Sequence, residues 1–152
     1  MQGRITELPT RARDGYAAMV ALEGFIAGTP IPAGLRHLIK LRVSQINGCA
    51  FCVDMHAREA RADGESNERI DGVAAFREMP YFDDAERAAL ALAEAATRLA
   101  DNPHGVDDQV WDEARRHYDE DQLAALTMTI AAINAWNRIS VTNRTVPGSF
   151  RR

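Results

Sequence analysis

Asn47-Gly48-Cys49-Ala50-Phe51-Cys52-Val53-Asp54-Met55-His56 carries both cysteines of the 152-residue chain and one of its four histidines. On its upstream side, from about Ala33, the apolar residues Leu35, Leu38, Ile39, Leu41, Val43 and Ile46 recur at helical spacing and stop at Asn47-Gly48, a pair suited to a helix C-terminus. Downstream, Cys49 to about Ala62 is rich in helix formers and closes at Gly64. The thiols are therefore predicted on the opening turn of a helix. Unpaired backbone N–H groups and the positive end of the macrodipole there favour a thiolate.

At roughly 100° per residue, Cys49, Cys52 and His56 fall at about 0°, 300° and 700°, a stripe about 60° wide. Cα atoms three positions apart on a helix lie about 5 Å from one another, inside the disulfide range. A loop this short removes little entropy from the unfolded chain, so a Cys49–Cys52 bridge is a poor staple and a better reversible bond. A free thiol with a pKa of about 8.5 is only about 7% ionised near neutral pH, whereas one lowered to about 6.5 is roughly 90% ionised. Such a pair makes a dithiol centre, in which one thiolate attacks an electrophile and its neighbour resolves the product to a disulfide.

The flanking sequence is helical throughout. Tyr16, Met19, Val20, Leu22, Phe25 and Ile26 mark a helix over about Arg11 to Ala27, stopped by Gly28-Thr29-Pro30. Ser66 caps a shorter helix to about Arg77, and Asp83 with Glu86 forms a capping box opening an Ala-rich helix from Asp84 to about Ala100. Asp107 to about Tyr118 and Asp121 to about Val141 complete the set, the last burying Leu123, Leu126, Ile130 and Ile133. Asn134 and Asn137 on that otherwise apolar helix point to buried hydrogen bonds. No stretch alternates as a strand does. The expectation is an all-α, single-domain compact bundle of about six or seven helices, with an extended tail from Thr142 to Arg152.

Composition narrows the function. A formal charge of −4 and a pI near 5.5 give no electrostatic reason for nucleic acid or an anionic membrane as partner. No apolar run reaches signal-peptide or membrane-span length, so a cytoplasmic location is expected. In that reducing compartment a C-x-x-C pair is more often catalytic or metal-binding than structural. Zinc would find three ligands in Cys49, Cys52 and His56, where a structural site takes four, and no second cluster exists. Neither metal nor cofactor is therefore expected. The alternating charges of Arg58, Glu59, Arg61, Asp63 and Glu65 read as a solvated helix face, and His104 and His117 as surface residues.

Residues 41–56, together with Ala-Ile-Asn-Ala-Trp-Asn-Arg at 132–138 and Arg-Thr-Val-Pro-Gly-Ser at 144–149, resemble the alkylhydroperoxidase D-like branch of the carboxymuconolactone decarboxylase superfamily. The resemblance implies an all-helical subunit of a trimer or hexamer that reduces alkyl hydroperoxides or hydrogen peroxide at the expense of an external dithiol reductant. It also implies roles: Cys52 as peroxidatic thiol, Cys49 as the more open resolving thiol, and His56 in the proton relay. Family peroxidases carry a glutamate twelve positions before the first cysteine, where this chain has His37. His37 is accordingly expected to replace that carboxylate as relay partner. Two other roles stay open on the same motif: a redox sensor that forms its disulfide without rapid turnover, and a small-molecule-binding module.

Overall fold

The computed structural model describes residues 2–149, which are all-helical. Eight α-helices run α1 (Leu8–Arg11), α2 (Arg13–Ala27), α3 (Ala33–Ile46), α4 (Ala50–Ala62), α5 (Asn67–Gly72), α6 (Asp84–Thr97), α7 (Asp108–His117) and α8 (Glu120–Asn143), with 3-10 turns at Val73–Ala75 and Leu99–Asp101. Among the described residues there is no strand, and no helix is long and apolar enough to cross a membrane.

Helix α3 is the hub. It packs against α4, α6 and α8, and its buried residues Leu35, Leu38, Ile39, Leu41 and Val43 lie around more than half of its circumference. Across from it, α6 offers Ala88, Ala89, Leu90, Leu92 and Ala93, all buried. The small alanine side chains let the two helices approach closely. On α8, Leu123, Leu126, Ile130 and Ile133 form the buried stripe that their spacing predicts.

The corner between α3 and α4 sets the thiols. Asn47 caps α3, and Gly48 takes the left-handed backbone at φ 66°, a conformation that an L side chain adopts at a cost. Asn47 Nδ2 then donates to Asn134 Oδ1 at 3.0 Å and Asn137 Oδ1 at 2.9 Å, while Asn137 Nδ2 donates to Ser44 Oγ at 3.0 Å. The asparagines expected to be buried thus lock the corner onto α8. Asn137 is 1% exposed, so the two bonds it makes stand in for water that cannot reach it.

Helix boundaries differ from expectation in three places. The single turn α1, with Pro9 in its first positions, was not anticipated, because one turn carries no periodicity. The helix opened by Ser66 stops at Gly72 and tightens into a 3-10 turn, where Gly72 lies close under Met79: an added Cβ would meet its side chain at 3.1 Å. Helix α8 begins at Glu120, one residue before Asp121, with Asp119 as cap, because Asp119 and Gln122 form a reciprocal capping box. The tail is helical as far as Asn143, whose carbonyl accepts from Arg4 N at 2.8 Å and whose Oδ1 accepts from Ile5 N at 2.7 Å. The expected extended tail is described only to Ser149; residues 150–152 lie outside the described residues.

Glu94 of α6 ties three segments. Its Oε1 accepts from Arg42 Nε of α3 at 2.7 Å, and its Oε2 from Arg77 Nη1 at 2.5 Å. The carboxylate is mostly buried, as is Arg42. Glu94→Ala strands the Arg42 guanidinium, and we expect a loss of about 3 kcal/mol in a urea-unfolding midpoint experiment. A loss below about 0.5 kcal/mol, the range of exposed pairs, would mean that water already screens the network.

Candidate active site

Cys49 is the N-cap of α4, and its Sγ accepts from the backbone N–H of Cys52 at 3.3 Å. The two sulfurs are bonded as a disulfide, with Cα atoms 5.3 Å apart. Each cysteine is 1% exposed. Surface exposure alone does not set Cys49 apart as the more open thiol, and residues 140–141 of α8 and 145–147 after it border the cleft at the helix start. The two sulfurs nonetheless differ in what they face. Cys49 lines a cleft of about 440 Å³ with Phe51, Val141, Val146 and Pro147, and Cys52 is not among its lining residues.

His56 stands one turn after Cys52, buried at 4% exposure. Its Nδ1 is 3.0 Å from Glu59 Oε2. A carboxylate only accepts, so Nδ1 carries the hydrogen. Burial, outweighing the attraction of Glu59, holds the His56 pKa below its ordinary value, with Lys40 and His37 pushing the same way. The ring is thus neutral at pH 7 and bears its lone pair on Nε2, the form a general base needs. Glu59 is held below the usual glutamate range, first by the His56 hydrogen bond and then by the charges of His56, His37 and Lys40.

His37 of α3 joins this group. Its ring centroid lies 6.3 Å from that of His56, its Nε2 is 2.8 Å from Asp63 Oδ2, and its Nδ1 is 3.7 Å from Glu59 Oε2. The four residues singled out in the sequence therefore lie on two packed helices, with the histidines in one cluster and the sulfurs one turn away. Lys40, itself buried, pairs with Glu23 of α2, whose Oε1 also accepts from Trp136 Nε1 at 3.1 Å.

Glu59 and Asp63 escaped the sequence reading, which placed them on a solvated face. They are half-exposed, yet both turn a carboxylate oxygen onto a histidine. The spacing of Glu59 three residues after His56 was the available signal, since such pairs share a helix face. His104 and His117 are exposed, as expected.

Residues 13–95 match the model of the carboxymuconolactone decarboxylase family, more than half of the chain. The chain belongs to that family. It is 42% identical over 130 residues to the uncharacterized protein YdfG of Bacillus subtilis, an alignment covering 86% of this chain and 87% of that one. Within the family it falls in the alkylhydroperoxidase D-like branch. A crystal structure from Agrobacterium tumefaciens, of a protein of unknown function whose name links it to AhpD and antioxidant defence, superposes with a TM-score of 0.90 at 37% identity, over 96% of this chain and 98% of its own. The debrominase Bmp8 shares the fold at TM-score 0.82 and 24% identity, over 92% of this chain and 74% of its own. One fold thus serves proteins with different names, and the chemistry of this chain must be argued from its own side chains.

Proposed function

We propose that this family member is a thiol peroxidase that cycles Cys49 and Cys52 between dithiol and disulfide. The observation that carries the proposal is the Cys49–Cys52 bridge at the start of α4 with the neutral, buried His56 one turn beyond it. In the reduced protein, Cys52 passes its proton to His56, and the thiolate attacks the terminal oxygen of a hydroperoxide. The O–O bond breaks, Cys52 becomes a sulfenic acid, and the leaving alkoxide takes the proton from His56 as the alcohol departs. Cys49 then attacks the sulfenic sulfur, water leaves, and the disulfide forms. An external dithiol enters by the cleft that Cys49 lines, attacks Cys49 Sγ and releases Cys52 as thiolate, and its second thiol then displaces Cys49 so that the reductant leaves as its disulfide.

His37, which the resemblance aligns with the family's relay glutamate, faces Glu59, which holds His56. We assign it to positioning the relay through that carboxylate. The proposal places the enzyme in a reducing compartment as a homo-oligomer, and the exposed Val20 and Phe25 on α2 are the kind of apolar surface a second copy covers.

A redox-sensing role is favoured by one feature, the near-complete burial of both sulfurs, which slows access by any reductant. Steady-state consumption of tert-butyl hydroperoxide with dithiothreitol in excess decides between the two. Many turnovers per chain are expected. Oxidation that stops after one equivalent of peroxide would make the protein a sensor.

A further inference from the structure

Apart from the sulfurs, the described residues bring together one set of metal-ligating donors: a ring nitrogen of His37, a ring nitrogen of His56 and a carboxylate oxygen of Glu59, all within 4.8 Å of one another. Within that set lies an unmet need. His37 Nδ1 is the buried side-chain nitrogen or oxygen that lacks a hydrogen-bond partner among the described residues. Its other nitrogen, Nε2, is committed as donor to Asp63 Oδ2 at 2.8 Å. With its proton on Nε2, the ring turns an Nδ1 lone pair toward Glu59 Oε2, itself a base, 3.7 Å away. In that form two electron pairs face one another at a buried, unpartnered ring nitrogen and call for an electron-poor occupant.

We propose that His37, His56 and Glu59 form a binding site for a divalent transition ion of the Zn²⁺ class. Two imidazoles and a carboxylate are the donor set of three-ligand zinc sites that keep a fourth position open, and imidazole nitrogen disfavours Mg²⁺ and Ca²⁺. A tetrahedral ion with arms of about 2.1 Å requires donors about 3.4 Å apart. The His56 Nδ1–Glu59 Oε2 and His37 Nδ1–Glu59 Oε2 separations, 3.0 and 3.7 Å, bracket that value. The Asp63–His37 bond is the arrangement by which an outer carboxylate fixes the tautomer of a ligating histidine and raises its basicity. The local charge suits a cation: the carboxylates of Glu59 and Asp63 both turn onto His37, and Lys40, the ammonium whose charge reaches Glu59, is already paired with Glu23.

Binding at His56 Nδ1 moves the ring proton to Nε2 and leaves the imidazole neutral. The lone pair that the thiol chemistry would use is then gone, so an ion here holds the relay off. This last consequence rests on the peroxidase proposal; ion binding itself does not.

The test uses the full-length chain with Cys49–Cys52 oxidised, which removes both sulfurs as ligands. After treatment with a chelator, the protein is titrated with Zn²⁺ by calorimetry and with Co²⁺ by visible absorption. One saturable equivalent is expected, with the Co²⁺ bands of a low-coordinate site. His37→Asn and Glu59→Gln should each weaken it at least tenfold, and Asp63→Asn, which leaves all three ligands in place, by about 10- to 100-fold. His117→Gln, which removes the exposed histidine beside Glu113, should change nothing. Thermal melts identify any variant that fails to fold, and Asp63→Asn then carries the test alone. Absence of a saturable equivalent, equal affinity in the folded His37, Glu59 and Asp63 variants, or NMR evidence that His37 holds protons on both nitrogens at pH 7 while Zn²⁺ leaves its signals unmoved, would each overturn the proposal. Because no turnover is read, failure here leaves the peroxidase proposal standing, and the reverse holds too.

Discussion

Cys52→Ser is expected to lower hydroperoxide turnover by at least about a thousandfold, a rise in barrier of about 4 kcal/mol. A serine hydroxyl has no accessible anion near neutral pH and cannot form the sulfenic intermediate. Cys49→Ser should behave differently. It leaves the attacking sulfur in place but removes the resolving one, so a single equivalent of peroxide is consumed and the sulfenic acid persists long enough to be trapped by dimedone. The contrast between the two variants assigns the roles. A competing influence makes that assignment worth measuring: the Cys52 N–H points at Cys49 Sγ and would stabilise a thiolate there. If Cys49→Ser were inert and Cys52→Ser consumed one equivalent, Cys49 would be the attacking sulfur and the relay would have to reach it.

The second large effect is expected at His56. Removing a positioned general base costs about 10² to 10⁴ in rate, and His56→Gln should fall in that range while keeping a side chain that can still donate to Glu59. Because His56 is 4% exposed, a packing defect could imitate the loss. Two readouts separate them. The thiolate absorbance of reduced protein near neutral pH should drop in His56→Gln if the ring takes the Cys52 proton, and raising the pH should recover part of the lost rate by ionising the thiol without help. A variant that is slow at every pH with an unchanged thiol titration would show that His56 acts only in packing.

The helices were legible because their signals are local and redundant. The run from Leu35 to Ile46, the stop at Asn47-Gly48, the capping box at Asp83 and the cap at Ser66 each act over a few residues, and the structure places helices or caps at all of them. The cysteine pair was legible for the same reason, since spacing alone fixes its reach. What escaped needs contacts between segments far apart. Glu59 and Asp63 look like solvent-facing charges until α3 is laid beside α4, which brings His37 to them across 22 and 26 positions of sequence. The cleft that Cys49 faces is likewise bordered by the end of α8, nearly a hundred residues later. Helix-level reasoning orders residues around one axis and is silent on what the next axis covers.

The crosslink between Cys49 and Cys52 spans three positions, whereas the corner that carries it is moored to α8 through Asn47 and Asn137. On the proposed cycle, that mooring includes neither sulfur and is expected to hold the surrounding frame still whether the sulfurs are joined or parted.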